Sequence, residues 1–282
     1  MTFHSEIIAI MLGLVSAIVW GAGDFCGGIS TKRNTTFTVM FFSQIAGWLL
    51  LTVFSLYFST FIFSLKFLLL AGLTGIIGVS SLGALYHSLS TTQMGIVAPV
   101  AAITSAVIPA IVGSITEGVP AGTKLVGFGF AFIAVWFLSA GGKKGTFRLN
   151  DLKLPFIAGC GFGLFFVFFD LLVNEDLLWP LVIIRFTVIV LMSIYCLIRR
   201  PTLFIAPGSA YIIALAGIFD TGGNVIFGVA TTMGRLDISS VLGSLYPITT
   251  VILAWFILKE KLTVFQWIGV FCTIVALGMI SW

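Results

Sequence analysis

Two stretches of this chain, residues 13–24 and 159–170, share a pattern of glycines and apolar residues, and each ends on an aspartate. About half of the 282-residue chain separates them. Glu117 and Glu260 stand at nearly the same separation. The matches predict that the first and second halves of the chain fold as two copies of one unit.

The composition is that of an integral membrane protein. Apolar residues make up 59% of the chain and charged residues only 9%, against about a quarter charged in soluble domains. Charge-poor stretches recur at the length a helix needs to cross a hydrocarbon core of about 30 Å, and the alternating segments typical of transmembrane strands do not occur. We predict ten transmembrane helices, at residues 7–30, 37–58, 67–89, 93–115, 122–141, 154–173, 178–197, 209–231, 238–258 and 263–282.

The number of crossings fixes how the two copies insert. With five spans in each half, the second copy lies upside down relative to the first, and inverted repeats of this kind build secondary transporters whose site lies near the midplane. We predict an all-α integral membrane fold in which two inverted five-helix repeats, residues 1–142 and 154–282, surround a central cavity. Residues 143–153 form the polar connecting loop. The other connections are short, so sequential spans are expected to pack as antiparallel neighbours.

Cysteines and loop charges restrict the function further. Cys26, Cys160, Cys196 and Cys272 fall within predicted spans without paired spacing, so we expect no disulfide framework, metal site or cofactor. The net charge of +4 lies mostly in short loops, where it reports topology and gives no evidence of nucleic-acid binding. Most Lys and Arg follow spans one, five, seven and nine, which favours both termini outside. The first span contains Asp24 and lacks a basic start, so we expect it to be retained rather than cleaved as a signal peptide.

Three prolines mark helices that are expected to bend. Pro99 and Pro109 fall in span four, and Pro247 falls in span nine, its repeat equivalent. Each removes a backbone hydrogen bond, and the freed carbonyl persists at membrane depth only beside protein or a wet cavity. Spans four and nine are therefore candidates to line a cavity, with a static kink in a packed bundle as the alternative.

Several motifs, in order, carry a family resemblance. They are residues 20–25 (WGAGDF) followed by Lys32 and Arg33, residues 94–100 (MGIVAPV), and residues 236–263 with their proline and closing glutamate. The chain resembles the EamA-type family of the drug/metabolite transporter superfamily over essentially its whole length. The resemblance implies that spans 1, 3, 4, 6, 8 and 9 surround the cavity and that the other spans lie outside them. It also implies alternating access and export or exchange of small metabolites. It further implies that both termini are cytoplasmic, whereas the distribution of loop charges favours termini outside. Both orientations therefore stay open.

Ionisable side chains inside the spans are the candidates for chemistry, because a charge at that depth costs several kcal/mol without a partner or water. They are Asp24, His87, Asp170, Arg185 and Asp220. Asp170 and Arg185 flank the turn between spans six and seven, so we predict a structural ion pair between them. Gln44 occupies the position equivalent to Arg185, which leaves Asp24 without a fixed cation. A carboxyl without a counter-charge is suited to proton exchange, so we predict that Asp24 is the proton- or cation-responsive group, the alternative being a helix-end aspartate solvated by loop water.

Other side chains at similar depth complete the predicted substrate site. Asp220 lies near the middle of span eight, and a ring such as Trp20 stacks well on a cationic cargo, although packing alone explains that ring equally well. The predicted substrate-binding residues are Trp20, Asp24, Tyr86, His87, Asp220, Asn224 and Tyr246. A purely structural hydrogen bond stays open for His87. Glu117 and Glu260 are each expected to cap the helix that follows them.

The function predicted is secondary transport of a small metabolite, such as an amino acid, an amine or a similar polar solute, by alternating access. Export, exchange and proton coupling all stay open. We predict a multi-pass protein of the cell (inner or plasma) membrane that is a monomer or a homodimer. Its expected partners are a small-molecule substrate, the lipid bilayer and, if transport is proton-coupled, protons. The alternative is an intramembrane aspartyl protease, since residues 21–24 spell GAGD and Asp220 could supply a second carboxylate. The order of the two aspartates and the lack of a Pro-Ala-Leu element count against it. A channel-like or sensory role is the third possibility.

Overall fold

Helices are the regular elements of the part of the chain that the computed structural model describes, residues 3–60, 64–91, 94–139, 152–259 and 262–281. Their bounds are α1 Phe3–Thr31, α2 Thr36–Phe58, α3 Leu65–Thr91, α4 Met94–Thr116, α5 Gly122–Ser139, α6 Lys153–Val173, α7 Trp179–Arg199, α8 Ala210–Met233, α9 Leu236–Gly243, α10 Pro247–Leu258 and α11 Val264–Ser281.

Length and composition make these helices candidate membrane spans. Seven helical segments among the described residues are long and apolar enough to cross a membrane, with α9 and α10 counted together. Shorter apolar helices at Val100–Thr116, Gly122–Phe137 and Val264–Ile280 bring the candidates to the predicted ten. Large apolar side chains cover the outside, where a soluble protein rarely exposes a broad apolar surface; Leu197, for example, is 77% exposed. The all-α, multi-pass membrane prediction is confirmed.

Local side-chain bonds set where α7 and α11 begin. The Asp176 carboxylate accepts the N–H groups of Leu178 at 2.9 Å and Trp179 at 2.7 Å. Before α11, the Thr263 N–H donates to the Gln266 side-chain oxygen at 2.8 Å, and the Gln266 N–H donates back to the Thr263 hydroxyl at 3.3 Å. This reciprocal capping box satisfies two N–H groups that the helix itself leaves free.

The two proline-containing spans differ in shape. Span nine is broken into α9 and α10 by a turn at residues 244–246, directly before Pro247. Pro247 lies in the first turn of α10, where its missing N–H removes no helical hydrogen bond. Two N–H groups of the break bond to carbonyls three residues back instead of four. The predicted bend therefore occurs in span nine, whereas α4 runs unbroken through Pro99 and Pro109.

The most extensive packing joins helices of opposite halves. The helix α1 packs on α8 and on α9–α10, α3 and α4 pack on α6, α2 packs on α7 and α8, and α5 packs on α11. Glycines allow the close approach: a Cβ at Gly159 would lie 2.6 Å from the Ala101 carbonyl oxygen, and one at Gly217 would overlap the Ser43 carbonyl. Sequential helices such as α1 and α2 or α4 and α5 do contact each other, as expected of neighbours, but less extensively than helices of opposite halves. Small residues bring the two halves together.

Two buried apolar clusters flank the centre of the bundle. One contains Val135, Val241 and Ile280, all fully buried, and brings together α4, α5, α9 and α11. The other is built around Phe169 and Phe227 and brings together α2, α3, α6, α7 and α8. Side chains of both clusters border the same internal cavity. The packed clusters thus hold the walls of that cavity in place.

Candidate functional site

A cavity of about 240 Å³ lies at the centre of the bundle. A cavity of this size has room for several waters, the scale of a small solute. The helices α1, α3, α4, α6, α8 and α9 border it, as the resemblance implied, but α2 and α7, which the resemblance placed outside, line it as well. Its lining residues are Trp20, Asp24, Gln44, Gly78, Leu82, Leu85, Ala101, Ala102, Ser105, Phe162, Phe165, Phe166, Leu181, Ile184, Arg185, Asp220, Asn224, Gly243, Ser244 and Tyr246.

A buried arginine joins three helices at one side of the cavity. Arg185 on α7 is 4% exposed, and its Nη2 donates to Asp220 Oδ2 on α8 at 2.6 Å. Its Nη1 donates to Gln44 Oε1 on α2 at 2.7 Å. Gly47, one turn after Gln44, leaves space for the guanidinium, since a Cβ there would lie 3.1 Å from Nη1. The Asp220 carboxylate therefore has a fixed positive partner.

This arrangement corrects the predicted pair between Asp170 and Arg185. The Asp170 carboxyl lies near the hydroxyl of Thr231 toward the end of α8, and an ion pair to Arg185 is not among the contacts of the described residues. The turn between α6 and α7 brings both residues to one side of the membrane. However, α7 turns Arg185 toward α2 and α8, where Gln44 and Asp220 are within reach.

Asp24 has a different environment from Asp220. Its carboxyl is exposed to the cavity, and in the described part of the chain no hydrogen bond or ion pair engages it. The neighbouring Gly23 packs closely on α8, where a Cβ would lie 3.1 Å from the Asp220 backbone nitrogen. The two aspartates are therefore on adjacent, closely packed helices. One is neutralised by an arginine and the other is available to a ligand.

Aromatic rings form the wall beside Asp24. The ring centroid of Trp20 lies 5.7 Å from that of Phe166 and 5.4 Å from that of Phe227. A Cβ at Gly243 would lie 3.0 Å from the Trp20 ring, so the missing side chain lets the indole fit against the α9 backbone. Tyr246 borders the cavity at the break between α9 and α10. Indole and phenol faces at this position can hold a cation.

Most of the predicted substrate-binding residues come together here. Five of the seven line the cavity: Trp20, Asp24, Asp220, Asn224 and Tyr246. The Asn224 side-chain amide donates to the Asp220 carbonyl at 2.7 Å, which leaves its oxygen free to accept. His87 is exposed on α3 and is not among the lining residues. The side chain of Tyr86 lies outside the described residues.

Two lining serines were not predicted. The Ser105 hydroxyl donates to the Ala102 carbonyl at 2.8 Å, and the Ser244 hydroxyl donates to the Val241 carbonyl at 2.7 Å. Each keeps lone pairs that can accept a hydrogen bond from a ligand. A serine in an apolar helix is too common a feature to single out, so the only usable signal was the position of Ser244 close before Pro247.

A second polar network lies at the face of the bundle where α1 begins, which we call the terminal face. Arg235, before α9, donates from Nη1 to the Glu117 carbonyl at 3.0 Å and from Nη2 to the Gly118 carbonyl. It also holds the fully buried Asp237, with Nε–Oδ1 3.1 Å and Nη2–Oδ2 2.7 Å. The Glu117 carboxylate accepts the Leu236 N–H at 3.2 Å. Glu117 therefore caps α9 of the other half, and its predicted role at the following helix α5 is wrong. Glu260 lies outside the described residues.

The charges of this network influence one another. Partial burial raises the pKa of Glu117, and the Leu236 N–H and the positive charge of Arg235 oppose that rise. The hydrogen bond to Asp237 raises the pKa of Arg235 above its already high value, so the guanidinium stays charged. The network ties the turn after α4 to the start of α9 on the terminal face.

Comparisons with known proteins agree with this architecture. The model of the EamA-like transporter family matches residues 152–282, which confirms the predicted resemblance to the drug/metabolite transporter superfamily for that part of the chain. One solved protein crystal structure superposes with a TM-score of 0.80 at 12% identity, covering 96% of this chain and 97% of that chain. That likeness shows a shared fold over both halves. No curated protein matches the chain.

Proposed function

We propose that this chain, whose residues 152–282 match the EamA-like transporter family, is a secondary transporter of the drug/metabolite type. It moves a small polar metabolite across the cell membrane by alternating access. The family match supports transport, and the ten candidate spans support a multi-pass protein. An internal cavity lined from both halves of the chain supports a binding site at their interface.

The packing pattern supports two inverted repeats at residues 1–142 and 154–282. Exchanging each span for its counterpart five spans away turns the α1–α8 contact into α6–α3, and both are extensive. The α2–α8 contact likewise becomes α7–α3, and the contact of α1 with α9–α10 becomes α6–α4. Such pairing is expected when two halves are related by a pseudo-two-fold axis in the membrane plane. Rocking about that axis would expose the cavity to one side at a time.

The proposed chemical class of the cargo follows from the carboxylate of Asp24, which has no hydrogen bond or ion pair among the described residues. Because Arg185 neutralises Asp220, the ionised cavity has one unbalanced negative charge, on Asp24. That carboxylate attracts the ammonium group of an amine or amino acid, or a proton. The ring of Trp20 lies one helical turn away and offers its face to the same cation. The cargo is therefore a small cationic or zwitterionic metabolite.

A single carboxylate also supplies a coupling mechanism. Cargo and proton compete for the Asp24 oxygens, so a cargo that enters from one side displaces a proton. After the two halves rock, a proton from the other side displaces the cargo. Asp24 thus exchanges one for the other. Arg185 and Asp220 keep their ion pair throughout, because the guanidinium is buried and bonded on two sides.

The test combines a binding screen with counterflow. A thermal-shift screen of the purified protein against amines and amino acids, at two pH values, identifies a stabilising cargo, and counterflow in proteoliposomes measures its exchange. Loss of one charge-assisted contact of about 1.5–3 kcal/mol predicts that Asp24→Asn weakens cargo binding roughly 10- to 150-fold. The variant should fold normally, because the carboxyl has no hydrogen bond or ion pair to lose among the described residues.

Glu175→Gln is the matched control, since it removes an exposed carboxylate outside the cavity. It should leave binding and exchange unchanged. Cargo exchange that survives Asp24→Asn with an unaltered pH dependence would rule out the role given to Asp24.

The protease alternative has one observation in its favour, since Asp24 and Asp220 line the same cavity. Aspartyl protease chemistry requires two carboxyls that share a proton. Here the Asp220 carboxylate is paired with the Arg185 guanidinium at 2.6 Å, so its partner is a cation and not a second carboxyl. A cleavage assay on a membrane-embedded peptide separates the two functions: cleavage abolished by both Asp24→Asn and Asp220→Asn would replace the transporter proposal.

A further inference from the structure

We propose that Arg185 is a specificity-determining residue: by occupying Asp220 it leaves the cavity a single available carboxylate and so selects singly charged over doubly charged organic cations. This inference rests on the proposed function, because it assumes that the cargo is held by Asp24. It assigns Arg185 a role other than the structural pair with Asp170 that the sequence predicted.

The charges at the cavity carry the argument. Among the described residues, the charged side chains that line it are Asp24, Arg185 and Asp220. The 2.6 Å contact between Arg185 Nη2 and Asp220 Oδ2 cancels two of the three charges. The remaining charge, on Asp24, matches one cation. A second positive charge on the same cargo would find no free carboxylate, because Asp220 is already paired with Arg185. It would also lie close to the positive charge of Arg185, which repels it.

Arg185 acts through charge and has little surface with which to touch cargo. Its side chain is 5% exposed, against 46% for Asp220. Gln44 accepts one N–H of Nη1 at 2.7 Å, and Nε is buried without a hydrogen-bond partner among the described residues. With only 5% of its side chain exposed, Arg185 offers little surface to a cargo carboxylate. This favours simple cations over zwitterions.

Removing the guanidinium would convert the cavity into a site for two positive charges. Asp24 and Asp220 lie on adjacent helices that approach closely at Gly23. Without Arg185, two carboxylates face one cavity, and their mutual repulsion favours a ligand that carries two cations over one that carries one.

The test compares butylamine with 1,4-diaminobutane, two probes of the same carbon length that differ by one charge. Dissociation constants are measured by tryptophan fluorescence and thermal shift on the purified full chain at pH 7 and pH 8.5, so that protonation of the freed Asp220 is detected. The wild type should bind butylamine more tightly than 1,4-diaminobutane. In Arg185→Gln the ratio of the two constants should shift toward the diamine by on the order of tenfold or more.

Two variants serve as controls for this ratio. Arg185→Lys keeps the charge and should keep the wild-type preference. Arg199→Gln removes the same charge from an exposed position at the end of the same helix, outside the cavity, and should change nothing. A ratio that moves equally in Arg185→Gln and Arg199→Gln would reflect overall charge and would overturn the inference.

The other outcomes are equally clear. If Asp24→Asn abolishes butylamine binding and Arg185→Gln leaves the ratio unchanged at both pH values, the role of Arg185 is wrong and the proposed transport function stands. If the wild type prefers the diamine or binds neither amine, the inference is wrong, and counterflow tests transport separately. Should Arg185→Gln not fold, Asp220→Asn decides. It frees the positive charge of Arg185 to balance Asp24, so butylamine affinity must fall, and unchanged affinity would refute the inference.

Discussion

Arg235→Gln is the substitution whose effect on stability follows most directly from the structure. Arg235 makes two charge-assisted bonds to Asp237, which is fully buried, and donates to the carbonyls of Glu117 and Gly118. Removing one partner of a buried ion pair costs about 3–5 kcal/mol, because the other charge stays buried and unpaired. The Arg235 side chain is 18% exposed, so water can enter in its place. We therefore expect a loss near the lower end, about 3 kcal/mol.

The assay is equilibrium unfolding in mixed micelles, with the free energy of unfolding compared between variants. Asp237→Asn in the Arg235→Gln background removes the buried charge and should recover part of the loss, which gives a coupling energy of roughly 2 kcal/mol in a double-mutant cycle. Lys124→Gln is the matched control. It breaks the ion pair to Glu6, whose side chain is 33% exposed, and should cost about 1 kcal/mol or less. If Arg235→Gln costs no more than Lys124→Gln, the network does not hold α9 as argued.

Three more substitutions test the packing, the terminal face and the cavity. Gly217→Ala should lower the free energy of unfolding by about 1–3 kcal/mol, because its Cβ overlaps the α2 backbone, while Gly27→Ala, with nothing within 4 Å, should be neutral or slightly stabilising. Because the pKa of Glu117 is raised, the folded chain holds that proton more tightly than the unfolded chain. The stability this contributes is present at acid pH and lost as pH rises through the folded value, so the thermal stability of Glu117→Gln should increase relative to that of the wild type as pH rises above the ordinary carboxyl range. Gln44→Arg should destabilise more than Gln44→Leu, since it sets two guanidinium groups together at Arg185; equal losses would contradict this.

The spans were predictable from sequence because a lipid bilayer permits few backbone structures. A backbone without water must satisfy its own hydrogen bonds, so apolar stretches of about twenty residues read directly as helices. The break in span nine was signalled by Pro247. The continuity of α4 was not predictable in this way, because it contains Pro99 and Pro109 and is still unbroken. A proline in the sequence therefore does not decide by itself whether a span breaks.

The partner of Arg185 shows where sequence reasoning stopped. At 1.5 Å per residue, Arg185 lies about 9 Å from the start of α7 and Asp170 about 5 Å from the end of α6, so counting turns favours their pairing. Asp220 lies about 20 Å from the end of α8 at the same face. Depth along a helix can be counted, but rotation about its axis depends on which faces pack. The glycine contact of α8 with α2 at Gly217 brings Asp220 toward Arg185.

The contact between Gln44 and Arg185 explains why the duplicated chain carries different residues at equivalent positions. The predicted repeats make these two positions counterparts, and their side chains meet at 2.7 Å, as residues close to a two-fold axis would. Two arginines there would repel each other, and two glutamines would leave Asp220 without a counter-charge. One cation and one neutral acceptor satisfy both requirements, and only one half can carry the cation. The same asymmetry leaves Asp24 without an ion pair among the described residues, so under the proposed function the residue that distinguishes the halves also sets the charge that the cavity offers to its cargo.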